Sequence, residues 1–205
     1  MIDFANINYL EVFGTVVGLT YLWLEYRASI YLWIVCVIMP AINLKVYFDA
    51  GLYADFAIDI YYLLIAIYGY FAWRYGLGKA KKERREALPI SHTPRRQIPL
   101  LLAAQLVLWA AIAYVLINFT NSNVPYADAF TTATSIVAMW MLARKQAEQW
   151  LVWIVVDVVC VALYLYKGLY FYAALYSLYT VIAVFGYRRW LKLMKQNGHK
   201  MGENG

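Results

Sequence analysis

Seven apolar runs constrain this chain more than any other feature, because each is close to the roughly 20 helical residues that cross a bilayer core about 30 Å thick. They cover Tyr9 to Tyr26, Ile30 to Phe48, Tyr53 to Trp73, Ile98 to Asn118, Tyr126 to Leu142, Trp150 to Tyr166 and Leu169 to Arg188. Irregular backbone at membrane depth would strand polar groups, so the runs predict helices, and their lack of two-residue alternation excludes a β-barrel. With 64% hydrophobic and 15% charged residues, a soluble monomer is excluded too. The first run ends in charge rather than a small-residue cleavage site, so a retained span is expected. Cys36 and Cys160 lie inside apolar runs without metal-ligand spacing, which predicts structural thiols and no metal.

Basic residues fix the expected orientation, since they are retained in cytoplasmic loops. The segment from Arg74 to Gln97 holds eight of them, and Arg27, Arg144, Lys145 and the tail from Arg188 fall on the same side of a seven-span arrangement. Only Lys45 and Lys167 lie toward the other face. The expectation is an outer N-terminus and a cytoplasmic C-terminus in a bacterial inner membrane, with a cytoplasmic basic loop at 74–97 and a cytoplasmic tail at 191–205. The net charge of +6 is thus a topology signal rather than a nucleic-acid or lipid-headgroup patch. The bilayer is the expected partner.

At a shift of 117 residues the chain matches itself without a gap. Gly51-Leu52-Tyr53 falls on Gly168-Leu169-Tyr170, and Gly69, Tyr70 and Trp73 fall on Gly186, Tyr187 and Trp190. Trp23, Arg27, Trp33, Tyr47 and Tyr62 fall on Trp140, Arg144, Trp150, Tyr164 and Tyr179. Three spans at 9–73 therefore repeat at 126–188, and the span at 98–118 restores chain direction between them. A single all-α membrane domain with a 3+1+3 parallel repeat is expected. Internally repeated helical bundles are a common transporter plan, with the substrate near mid-membrane at the repeat interface.

Ionisable residues within a span cost about 2.5 kcal/mol or more on insertion scales and mark pathways or sites. Asp157 stands midway along the sixth run in Trp150-x-x-Trp153-x-x-x-Asp157, and helical spacing puts all three on one face with Cys160 or Val161 and with Tyr164. Two indoles and a carboxylate suit a flat cationic ring, by stacking, cation–π attraction and charge. The first copy has Trp33, Cys36 and Pro40 at these places, so the site is expected to be asymmetric, with backbone freed by Pro40 and the Asn43 amide a turn away. Asp55, Asp59 and Tyr62 form a stripe on the third run, Asp59 being the deeper acid and a second site candidate, while Asp55 suits an outer vestibule. For Glu25 and Glu11, near opposite ends of the first run, pairing with Arg27 or solvent exposure suffices. Gln105, Trp109 and the threonines of the fifth run are expected mainly to pack helices. His92 falls in the basic loop, and His199 in a tail expected to lack fixed structure. No phosphate-binding or nucleophile-elbow motif occurs, so neither an enzyme nor a cofactor is indicated.

These residues resemble the PnuC vitamin permeases over nearly the whole chain. The most specific parts are Gly51-Leu52-Tyr53-Ala54-Asp55, Trp150-x-x-Trp153-x-x-x-Asp157-Val158-Val159, Leu163 to Tyr170, and Gly186-Tyr187-x-x-Trp190. The resemblance implies a full-length SWEET-like fold, with Trp150, Trp153 and Asp157 lining the substrate site. It also implies uptake of nicotinamide riboside by facilitated diffusion with trapping by a cytoplasmic kinase, and a homotrimer. A thiamine-carrying branch, PnuT, is the rival: here the second run reads Trp33-Ile34-Val35-Cys36 instead of the W-P-x-G pattern associated with riboside carriers. Both cargoes are flat aromatic cations with hydroxyls. A sugar-type SWEET-like carrier and an intramembrane enzyme are remoter readings, and a retinal protein would need a lysine inside the last run.

Overall fold

The computed structural model describes residues 9–49, 53–76 and 88–202. The described residues form seven helices, α1 (Tyr9–Tyr26), α2 (Leu32–Asp49), α3 (Tyr53–Tyr75), α4 (Ile98–Phe119), α5 (Pro125–Ala143), α6 (Gln149–Tyr166) and α7 (Tyr170–Gly202). Each begins within two residues of an apolar run. Four helices are long and apolar enough to cross a membrane: α4, α6, residues 56–75 of α3 and residues 170–196 of α7. At the far end of α7 the sequence expectation needs correction. The helix continues to Gly202 through the segment expected to lack fixed structure, because apolarity marks where a bilayer ends and not where backbone hydrogen bonding must.

The helices form two compact units, Met1–Ala87 and Leu88–Gly205. In the first, α1 packs on α2 and α2 on α3; in the second, α4 packs on α5, α5 on α6 and α6 on α7. Most of α4 is exposed and apolar, as suits a helix bathed in lipid; Ala113 is its buried position. Its polar groups hold it to α5: the Gln105 amide donates to Thr134 Oγ1 at 2.7 Å, and Trp109 Nε1 donates to the Tyr126 carbonyl at 2.9 Å. Thr131, Thr132 and Thr134 donate to carbonyls one turn back within α5.

Several local geometries recur 117 residues apart. The chain leaves α1 through Ala28 (φ 51°), with Ala28 N–H donating to Glu25 O and Ser29 N–H to Leu24 O. It leaves α5 through Lys145 (φ 57°), with Lys145 N–H donating to Leu142 O and Gln146 N–H to Met141 O. This is the paired bonding that terminates a helix on a left-handed residue, usually glycine, here held by two side-chain-bearing residues. Arg27 lies over the Trp23 ring and Arg144 over the Trp140 ring, 4.9 and 5.9 Å from the centroids. Trp33 meets Trp73 edge to face at 5.6 Å, and Trp150 meets Trp190 edge to face at 5.9 Å. Trp33 covers Gly69, and Trp150 covers Gly186.

At the end of the second unit where α5 gives way to α6, residues 88–97 are clasped to the intervening turn. Ser91 and Gln146 form a parallel bridge, and Gln146 donates to Gln97 at 2.8 Å. His92 Nδ1 lies 2.6 Å from Glu148 Oε1, and the Thr93 N–H and hydroxyl donate to Glu148 Oε2 at 2.7 and 2.9 Å. Burial pushes the Glu148 carboxyl up, but the hydrogen bonds from His92 and Thr93 outweigh it and hold it below its ordinary value.

Candidate functional site

In the second unit, α6 carries Trp150, Trp153, Asp157, Cys160 and Tyr164 on one stripe. Asp157 is 6% exposed and has no hydrogen-bond or ion-pair partner among the described residues. A mid-helix acid buried without a partner is rare enough to require explanation. Trp153 repeats the pattern one turn away, its buried Nε1–H having no acceptor among the described residues. On α7, Tyr176 and Tyr179 lie close enough for the Asp157 charge to act on both phenols. Tyr164 stacks on Tyr172 at 5.5 Å and meets Tyr176 at 5.1 Å, and Tyr176 meets Tyr179 at 5.4 Å. The result is an aromatic column along the α6–α7 seam, ending at a carboxylate.

Trp150 has a different part. It is fully buried between Trp190 and the bare backbone of Gly186, with no room beside its ring. Trp33 is placed in the same way by Trp73 and Gly69. These two indoles pin helix pairs, and the Nε1–H of each, like that of Trp153, is buried without an acceptor among the described residues. Trp190, which by sequence merely ends the last run, is fully buried as Trp150's partner.

The first unit gathers a second polar set. Asp59 is buried on α3, its charge acting on Tyr62, and Tyr62 is in turn coupled to Cys36 of α2. Glu25 corrects the sequence reading. Rather than meeting Arg27 or solvent, its carboxylate is fully buried and accepts a hydrogen bond from Tyr21, while Arg27 rests on Trp23. The 117-residue shift could have found it, since Glu25 stands where the other copy has the fully buried Leu142. Asn43 is half-buried on α2, just past Pro40, whose missing N–H leaves the Cys36 carbonyl without its helical donor. The side chains of Asp55 and Glu11 lie outside the described residues.

A cavity of about 470 Å³ in the second unit is a different feature. It is walled mainly by apolar side chains of α4 and α5 and by Leu151, Val152 and Val155, on the face of α6 opposite Trp153 and Asp157, with Thr93, Gln105, Thr134 and Glu148 also in its lining. Its surface is almost wholly apolar, so its size alone does not make it the site of a polar cargo. No cluster of His, Cys, Asp or Glu suited to a metal occurs among the described residues.

A buried carboxylate and a buried indole N–H without partners among the described residues, in a helix bundle, match what a membrane carrier offers a polar aromatic cargo. Residues 8–192 match the profile of a family described as nicotinamide mononucleotide transporter. The chain belongs to this family. Among relatives, it is 22% identical to the nicotinamide riboside transporter PnuC of Escherichia coli (strain K12), covering 95% of this chain and 90% of that one. It is 26% identical to the riboflavin/roseoflavin transporter RibM of Streptomyces davaonensis, covering 90% and 85%. The crystal structure of the vitamin B3 transporter PnuC shares the fold with a TM-score of 0.69 at 23% identity, covering 94% of this chain and 85% of that one. As a member of this transporter family the protein is a multi-pass membrane carrier and not an enzyme.

Proposed function

We propose that this protein takes up nicotinamide riboside by facilitated diffusion, and that Asp157 and Trp153 meet the pyridinium ring and ribose hydroxyls at the centre of the site. The observation that carries the reading is Asp157, a carboxylate for a cation or hydroxyl, buried on α6 without a hydrogen-bond or ion-pair partner among the described residues, one turn from the Trp153 N–H, which is buried there without an acceptor. The same carboxylate argues against a phosphorylated cargo, because an anion at that depth would meet like charge. Tyr164 extends the proposed site along α6; in the first unit Asp59, Tyr62 and Asn43 are the candidate polar set, and Trp33 and Trp150 each fix a helix pair of their own unit.

The reading carries an architecture with it: seven spans in a 3+1+3 parallel repeat of the SWEET-like kind forming one membrane domain, with an outer N-terminus and a cytoplasmic C-terminus. Its support is the recurrence of turns, arginine–indole contacts and tryptophan–glycine contacts at 117-residue spacing. Trapping by a cytoplasmic kinase and a homotrimeric assembly follow from the family resemblance. Riboflavin is a second reading, favoured by the similarity to RibM, and thiamine a third, favoured by its cationic ring. Calorimetric binding of the three vitamins to the purified protein separates them. Tight binding of riboflavin or thiamine alone would replace the cargo. In liposomes preloaded with unlabelled cargo, labelled cargo should enter without an ion gradient; uptake that requires an imposed pH difference would overturn facilitated diffusion.

A further inference from the structure

At the end of α5 and α6 opposite the His92–Glu148 clasp, two charges face each other. Asp128 stands in the first turn of α5 and Lys167 caps the C-terminus of α6, Nζ to Oδ1 at 3.5 Å. Each helix end suits its charge, a carboxylate near an N-terminus and an ammonium at a C-terminus. Both side chains are about one-third exposed, 32% and 28%, and an exposed pair of this length contributes little to stability. The two partners are not held alike. Ser122 Oγ donates to the second carboxylate oxygen, Oδ2, at 2.8 Å, so Asp128 stays in place if Lys167 swings away on its four-carbon stem.

The pair also belongs electrostatically to the aromatic column. Both charges act on Cys160, and that of Asp128 acts on Tyr164. Lys167 follows Asp157 by ten residues, about 15 Å along the helix axis, with Cys160 and Tyr164 spaced between them. A positively charged ring approaching Asp157 along this column meets a fixed carboxylate whose present partner is a mobile ammonium.

We propose that the Asp128–Lys167 pair is a charge filter at this end of the Asp157 column: Asp128 exchanges the Lys167 ammonium for the cationic ring of the cargo, and Lys167, once unpaired, repels a second cation. The inference rests on the reading above that the cargo is a flat cation. While paired, the two charges cancel, so neither a cation nor a neutral ring is turned away. Unbalancing the pair biases entry in a direction set by the charge that remains.

The test is the association rate of nicotinamide riboside, thiamine and riboflavin with the full-length protein in lipid nanodiscs, followed by tryptophan fluorescence at low and high salt. Asp128→Asn leaves Lys167 unbalanced and should slow the two cations by about three- to tenfold, while Lys167→Gln should speed them by a similar factor. The double variant should return near the wild-type rate, 1 M salt should erase the differences, and neutral riboflavin should respond to neither change. Lys167→Gln keeps the Ser122–Asp128 contact and carries the test alone if Asp128→Asn does not fold. Equal slowing in both single variants means a structural strap, and unchanged rates mean an inert surface pair; either overturns the filter while leaving the cargo assignment standing. Failure of the wild-type protein to bind either cation overturns the cargo assignment and the filter with it.

Discussion

Asp157→Asn separates binding from folding, because the two should move in opposite directions. The carboxylate is 6% exposed and has no hydrogen-bond or ion-pair partner among the described residues, so replacing it orphans nothing in the protein. The amide is nearly isosteric and opens no cavity. Removing a buried acid that lacks a partner relieves a desolvation cost, and the thermal unfolding midpoint should hold or rise. Binding should respond the other way. A hydrogen bond to a charged group is worth about 1.5 to 3 kcal/mol, so nicotinamide riboside should bind roughly 10- to 150-fold more weakly. For a neutral ring the difference between carboxylate and amide is one ordinary hydrogen bond, about 1 kcal/mol, or roughly fivefold. Calorimetric titration of wild type and variant with nicotinamide riboside and riboflavin, beside unfolding followed in the same detergent, measures all three quantities. A binding loss matched by a fall in midpoint would return Asp157 to a structural role, and equal losses for both ligands would refute its action as a counter-charge.

Trp153→Phe should bind nicotinamide riboside better than Trp153→Ala, since a phenyl ring keeps part of a cation–π attraction worth about 0.5 to 2 kcal/mol; indistinguishable titrations would assign the ring to packing. Gly186→Ala would put a Cβ 2.8 Å from the Trp150 ring, which Trp190 prevents from retreating, so overpacking of about 1 to 3 kcal/mol should outweigh the gain of about 1 kcal/mol in helix propensity and lower the unfolding midpoint. Trp190→Phe, by vacating space beside Trp150, should also lower the midpoint, and a neutral result in the same melt would contradict its full burial. The folded Glu148 carboxyl titrates below its ordinary value of 4.5, so its stabilisation is complete above that pH and lost as pH falls through the lower folded value. Glu148→Gln should therefore lower the midpoint at neutral pH and flatten its decline in acid, and parallel acid limbs for wild type and variant would exclude the clasp as the cause.

Helix starts were legible because every start falls within two residues of the onset of an apolar run, and hydropathy alone demands hydrogen-bonded backbone there. The burial of single residues was not. Glu25 sits near a helix end, where an acid is ordinarily expected in water, and only its packing with Tyr21 in the first unit closes it off. Trp150 shares a stripe with Asp157, but its ring direction is set by a partner on another helix, the glycine 36 residues on. Trp33 and Gly69 have that same separation, so the tryptophan–glycine pairing was present in the sequence as a doubled spacing. The Asp128–Lys167 contact has no such signal, because two charges 39 residues apart meet only once α5 and α6 are antiparallel.

What distinguishes the proposed site from the scaffold around it is where the two copies part company. Tryptophan against glycine, arginine over indole and left-handed helix ends recur in both units, and all serve to fix helix pairs. Along the α6–α7 seam the acid stands on the first helix of the pair, as Asp157, and the tyrosine facing it on the second, as Tyr176. The corresponding positions of α2 and α3 hold Pro40 and Asp59, so the acid has crossed to the other helix of the pair. Each unit thus keeps the packing contacts of the other while carrying its buried acid on a different helix of the pair. In this reading, packing keeps the halves alike and cargo recognition makes them differ.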